Sequence, residues 1–181
     1  MVRAFLFAGA FFTALTLPAI AAAPPLPITY GNVNEVFIDF LLAGCMPAAG
    51  GRTLVADFAM LRQLTRANDE ISAVFLHGEQ GAVYVHGGHA VVITANENGS
   101  CTVLARRAPE MELIKAVEKW LIGPGSGFTK TSTEENRAAD GLSTTRVYQS
   151  MTAGKTLLAV MTTTERDDVL AQAIITVGLD Y

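Results

Sequence analysis

The chain has 181 residues, with 13 basic and 17 acidic side chains, a net charge of −4 and a hydrophobic fraction of 50%. The acidic residues are scattered and no basic cluster exists, which argues against nucleic acid and anionic membrane surfaces as partners. The length suits one domain of about 100–200 residues behind a short leader.

The first segment, MVRAFLFAGAFFTALTLPAIAAAPPLP, carries one positive charge at Arg3, an apolar run from Ala4 to Leu17, a helix-breaking Pro18 and then small residues. This is the pattern of a secretory signal peptide. Cleavage is expected after Ala21, since a cut after Ala23 would put Pro24 beside the scissile bond. Residues 22–181 then form a single exported α+β domain of 160 residues, with 12 basic and 17 acidic side chains and a net charge of −5. No later apolar run reaches the roughly 20 residues that span a bilayer, so no stable membrane anchor is expected once the signal is removed.

After the proline-rich AAPPLPITYG, the order Asn32-Val33-Asn34-Glu35 reads as a capping box with Asn in the cap position. Val33, Val36, Phe37, Phe40 and Leu41 make one apolar helical stripe, and the next turn places Gly44 and Cys45 on the same face. Pro47 and Gly50-Gly51 are expected to end that helix. A second helix is predicted over Thr53 to Arg66, with Leu54, Phe58, Leu61 and Thr65 or Leu64 inward. Asn68-Asp69 ends it by turn chemistry. The segment Ile71 to His77 fits a short helix or a strand.

From Gly81 the pattern is β. AVYV and AVVITA flank His86-Gly87-Gly88-His89, which reads as a hairpin with a two-residue Gly-Gly link. Asn96 to Gly99 turns the chain into SCTVLA, where Cys101, Val103 and Ala105 share one face. A third helix follows, with Pro109 at its first position, Glu110 and Glu112 in the first turn, a stripe of Leu113, Ile114, Val117, Trp120 and Leu121, and Gly123 as C-cap. The polar residues 129–141 read as a strand end and an exposed loop. Three β runs, Thr144 to Met151, Thr156 to Thr163 and Leu170 to Leu179, close the chain as a meander. The resulting fold expectation is α+β, antiparallel sheet with about three helices packed on one face.

Several motifs fail on inspection. LLAGC ending at Cys45 matches a lipobox, but Asn32, Asn34, Glu35 and Asp39 separate it from the apolar leader, and charged residues are costly to insert. Cys45 and Cys101, two cysteines in an exported chain, are instead expected to form one disulfide. Ala153-Gly154-Lys155-Thr156 lacks the first glycine of a phosphate loop and has β runs on both sides, so Gly154 is read as a hairpin turn residue. Gly125-Ser126-Gly127 lacks the glycine spacing of a nucleophile elbow. His86 and His89, with His77 the third histidine, fall short of a three- or four-ligand metal site and are read as exposed turn residues. Asn98-Gly99-Ser100 fits a glycosylation acceptor, yet a turn explains the same residues. Glu110 and Glu112 do not face each other on a helix. Glu134-Glu135 and Asp167-Asp168 read as solvated loop acids.

The stripe that ends at Cys45, the Cys101-Thr102-Val103 strand before a helix, and Tyr148 and Gly154 in a β meander resemble an uncharacterised family of small exported bacterial proteins and lipoproteins. In that family the lipid cysteine closes the signal peptide. This chain has none there, so the resemblance implies soluble export to the periplasm or outside the cell. It transfers no catalytic, cofactor-binding or metal residue. Two function classes follow: a non-catalytic binding or envelope-associated protein with a protein partner in the cell envelope, or a hydrolase or metal-dependent enzyme whose residues converge only in three dimensions.

Overall fold

A computed structural model of the chain describes residues 31–180 other than 89, 139, 140, 153 and 167. The expected signal peptide, the proline-rich lead-in, His89 and Asp167 lie outside the described residues. Among those residues no helix is long and apolar enough to cross a membrane.

The first helical run, α1, covers 33–49 as an α-helical Val33–Asp39, a π-helical Phe40–Cys45 and an α-helical Met46–Ala49. Asn32 Oδ1 accepts from the Asn34 and Glu35 N–H groups at 3.0 and 3.1 Å. Glu35 reaches back to accept from the Gly31 N–H at 2.7 Å and from the Asn32 side-chain amide at 3.2 Å, a variant of the expected box shifted one residue past the cap. Pro47 does not stop the run. It sits at the start of the final turn, just past the π segment, where a missing N–H is tolerated best. Termination comes at Gly51 (φ 70), with Gly51 N–H donating to Ala48 O and Arg52 N–H to Pro47 O, both at 2.9 Å, a Schellman arrangement.

The second helix, α2, is only Val55–Leu61, because Gln63 at φ 54 breaks it. Its buried face is Val55, Phe58 and Ala59, while Leu54 and Leu61 are 68% and 54% exposed. Two apolar stripes competed in that segment and the one offset by a residue won. Thr65–Arg66 is a short strand, β1, rather than the helix end. The ambiguous segment is a helix, α3 (Asp69–Leu76), capped by Asn68 Oδ1 and ended by His77 in the left-handed region.

β2 (Gly81–His86), β3 (Val91–Asn96) and β4 (Cys101–Ala105) form a meander, then α4 (Glu110–Leu121) crosses over. The β2–β3 link spans residues 87–90, four rather than two, since His86 pairs with Val91. β5 (Phe128–Ala138), β6 (Gly141–Thr152), β7 (Lys155–Thr164) and β8 (Ala173–Asp180) complete one eight-stranded antiparallel sheet in the order β1-β2-β3-β4-β8-β7-β6-β5. Residues 129–138 are therefore an edge strand and not a loop. Threonine-rich polar sequence suits an edge strand, whose side chains need not be apolar.

The α+β class holds, but the sheet dominates, and among the described residues there are four helices rather than about three. α1, α2 and α4 cover one face, where Ile93, Val103, Ile175 and Met161 lie across four adjacent strands and are fully buried. α3 packs on the opposite face over Val83, Val92 and Leu104. Cys45 and Cys101 form a disulfide, Cα–Cα 5.2 Å, that ties α1 to β4. Gly44 makes that contact close: a Cβ there would lie 2.8 Å from Ile93 Cδ1.

Candidate functional site

Three chain segments end near one another on the helix-covered side of the sheet: the last turn of α1, the last turn of α4 and the β6–β7 hairpin. Between them lies a cavity of about 530 Å³, within the range of about 300–1,000 Å³ usual for small-molecule sites. Its apolar wall is built from Leu42 and Met46 of α1, Leu121 of α4, Phe128 of β5 and Leu157 of β7. Met46, Leu121 and Leu157 are at most 9% exposed, so the wall is continuous with the main core.

The mouth differs in chemistry. Arg52 follows the Schellman turn of α1 and folds back over it, with Nε 3.6 Å from where a Gly50 Cβ would sit. Lys155 follows Gly154 (φ 77), the second residue of the two-residue turn between Thr152 and Lys155. Both cations line the cavity, as do Ser126 and Ser150, and among the described residues no Asp, Glu, His or Cys does. Ser126 is held by a turn in which its N–H donates to Gly123 O at 3.1 Å, with Gly125 at φ 83. The Ser126 hydroxyl accepts from the Phe128 N–H at 3.4 Å, a linker contact rather than an activated nucleophile.

Trp120 stands at the same rim. The sequence pattern places it in the buried stripe of α4, yet it is 55% exposed. Leu113, Ile114, Val117 and Leu121 fill the stripe, and Trp120 lies on its flank beside the cavity.

The other sequence candidates do not meet. His77 caps α3 on one face of the sheet, whereas His86 lies on the other with its ring 6.2 Å from Phe40. His86 is half-buried, not a free turn histidine. Among the described residues no group of three or more His, Cys, Asp and Glu side chains is placed to hold a metal ion. Glu110 accepts from the Thr163 hydroxyl at 2.6 Å, and Thr163 in turn accepts from Arg146 at 3.2 Å. That chain locks α4 to the sheet. Gly154 serves as a hairpin residue between two strands, which removes the phosphate-loop reading. Asn98 Oδ1 accepts from the Ser100 N–H at 2.8 Å, the turn expected there. Glu134 and Glu135 lie exposed on β5, and Asp168 pairs with Arg166 at 2.8 Å.

Sequence reasoning missed the cavity residues. Arg52 and Lys155 each follow a glycine turn, a local signal that a cation is placed at the end of an element. Nothing in the sequence brings those two turns to one rim, because three helices and six strands separate them along the chain. No protein-family model matches the chain, and no curated protein or solved structure does either.

Proposed function

We propose that the protein is an exported, non-catalytic binding protein that encloses a small apolar ligand in the cavity between α1, α4 and the β6–β7 hairpin. One observation carries the reading: a concave site of about 530 Å³ whose wall is largely aliphatic and aromatic and whose two charged residues, Arg52 and Lys155, are exposed. Small-molecule sites share that plan, with apolar walls giving affinity and a few polar groups giving orientation. Export is supported by the signal-like residues 1–21 and by the buried Cys45–Cys101 disulfide, a bond that persists in oxidising compartments. A protein partner in the envelope would call for a flat apolar patch, and the concave shape favours a small ligand instead.

Trp120 is the chain's single tryptophan and lines the cavity, so it reports directly on occupancy. The neutral fluorophore N-phenyl-1-naphthylamine is expected to saturate one site with energy transfer from Trp120. Ser150→Phe, which fills the cavity from β6, is expected to weaken that binding in protein whose circular dichroism is unchanged. Linear, unsaturable uptake by the native chain would overturn the reading.

A further inference from the structure

The cavity is largely apolar inside, with the buried Ser150 as a polar group, and its two cations are exposed. Arg52 and Lys155 both line it, both are exposed, and neither makes an ion pair among the described residues. This contrasts with their neighbours. Lys130 is held by Glu118 at 2.9 Å and Arg62 by Asp39 at 2.7 Å, so these two cations are already neutralised. The nearest acid on α4, Glu118, is occupied by Lys130 and by the Tyr148 hydroxyl. Asp180 is paired in register with Thr156, whose side chain alternates with those of Lys155 and Leu157, and so sits on the opposite face of the sheet. The site thus offers positive charge at one end of a largely apolar chamber and, among the described residues, no competing negative charge in its lining.

Resting on the reading above, we infer that the ligand is a single-chain amphiphile with a carboxylate head, the fatty-acid class. Its alkyl tail lies along Leu42, Met46, Leu121 and Leu157, and its carboxylate sits between Arg52 and Lys155. The Arg52 guanidinium offers the paired N–H geometry that fits a carboxylate, and Lys155 supplies a second, mobile charge. Ser126, at the same rim, offers a hydroxyl to the head group. The volume takes one apolar chain with its head left at the solvent boundary, where the two cations stand.

Competition against bound N-phenyl-1-naphthylamine tests the head group with the tail held constant. Laurate, dodecyl maltoside, dodecyltrimethylammonium and lauroyl lysophosphatidylglycerol are compared, each below its micellar concentration. Laurate is expected to compete best, and Arg52→Gln/Lys155→Gln is expected to weaken it about tenfold relative to the neutral fluorophore, the worth of two solvent-facing ion pairs. Equal competition by all heads, or an unchanged ratio in the double variant, overturns the inference. Tighter binding of the lysophospholipid replaces the carboxylate by a phosphodiester and overturns it too. Failure of the fluorophore itself to bind would instead remove the cavity as a site, so the two failures are distinct.

Discussion

The Tyr148 hydroxyl donates to Glu118 Oε1 at 3.2 Å, and the same oxygen accepts from Lys130 Nζ at 2.9 Å. Tyr148 is fully buried on β6, so this one carboxylate oxygen joins α4 to two strands at the far side of the sheet. Burial first, then the Glu118 charge and hydrogen bond, push the Tyr148 phenol far above its ordinary value near 10, and Arg146 opposes them weakly.

The pH consequence has a definite sign. Above about pH 10 the unfolded chain loses the phenolic proton while the folded chain keeps it, so stability falls as pH rises, by about 1.4 kcal/mol per unit from this group. Below pH 10 both states hold the proton and Tyr148 adds no pH dependence. Tyr148 is expected to resist ionisation in absorbance titration until the chain unfolds. Tyr148→Phe should lose about 1–2 kcal/mol in urea unfolding at neutral pH, since a charged acceptor loses a donor but keeps Lys130. Ionisation of Tyr148 near its ordinary value in the folded chain, read by comparison with Tyr148→Phe, would contradict the buried bond.

Gly44 is a close contact of α1 with the core, a Cβ there lying 2.8 Å from Ile93 Cδ1 of β3 and 3.1 Å from Phe58 Cδ1 of α2. Gly44→Ala gains about 1 kcal/mol of helix propensity but overpacks this contact at a cost of about 1–3 kcal/mol. A net loss is expected. Ile93→Val removes the Cδ1 in question and costs about 0.5–1.5 kcal/mol alone. The double variant should be more stable than the sum of the two singles, and strict additivity would show that the contact carries no strain.

These contacts mark the boundary of what was legible in the sequence. Local signals held: the Asn32–Glu35 cap, the stripe through Phe40 and Cys45, the facing of Cys101, and the turn at Gly154 all depend on residues a few positions apart. The errors arose where two local patterns were both satisfied and a distant partner decided. Phe58 was inward in either pattern and meets Phe40 edge-on at 5.3 Å, but Val55 and Ala59, not Leu54 and Leu61, share its buried face. Residues 129–138 became a strand because β6 lay alongside to pair with them. The placement of α3 on the second face, and the meeting of Arg52 with Lys155 at one rim, have no local signature at all.

Asp39 and Arg62 form a two-point pair, Nε to Oδ2 at 2.7 Å and a terminal nitrogen to Oδ1 at 2.9 Å, with the guanidinium 5.2 Å from the centre of the Phe58 ring. The pair fastens the short α2 to α1. Arg62→Lys keeps the charge but loses the fork and the planar stacking, so it is expected to cost about 1 kcal/mol despite its conservative chemistry. Hydrogen exchange should show faster exchange in α2 than in β7. Equal effects on both would mean that α2 does not open on its own.

The Cys45–Cys101 bridge closes 56 residues of chain that include α2, α3, β2 and β3. In the chain-entropy account a loop of that length stabilises the fold by about 4 kcal/mol, and for a domain of this size its loss corresponds to roughly 10 °C in melting temperature. Reduction isolates the cross-link, because both sulfur atoms stay in the core. Cys45→Ala/Cys101→Ala also empties the space they fill and should melt lower still. Met46 and Gly50, which line the cavity, follow Cys45 in the same helical run. Reduction is therefore expected to lower the affinity for N-phenyl-1-naphthylamine at temperatures where circular dichroism still reports a folded chain. Unchanged affinity together with a lowered melting temperature would separate the brace from the cavity wall, leaving the disulfide a purely global stabiliser.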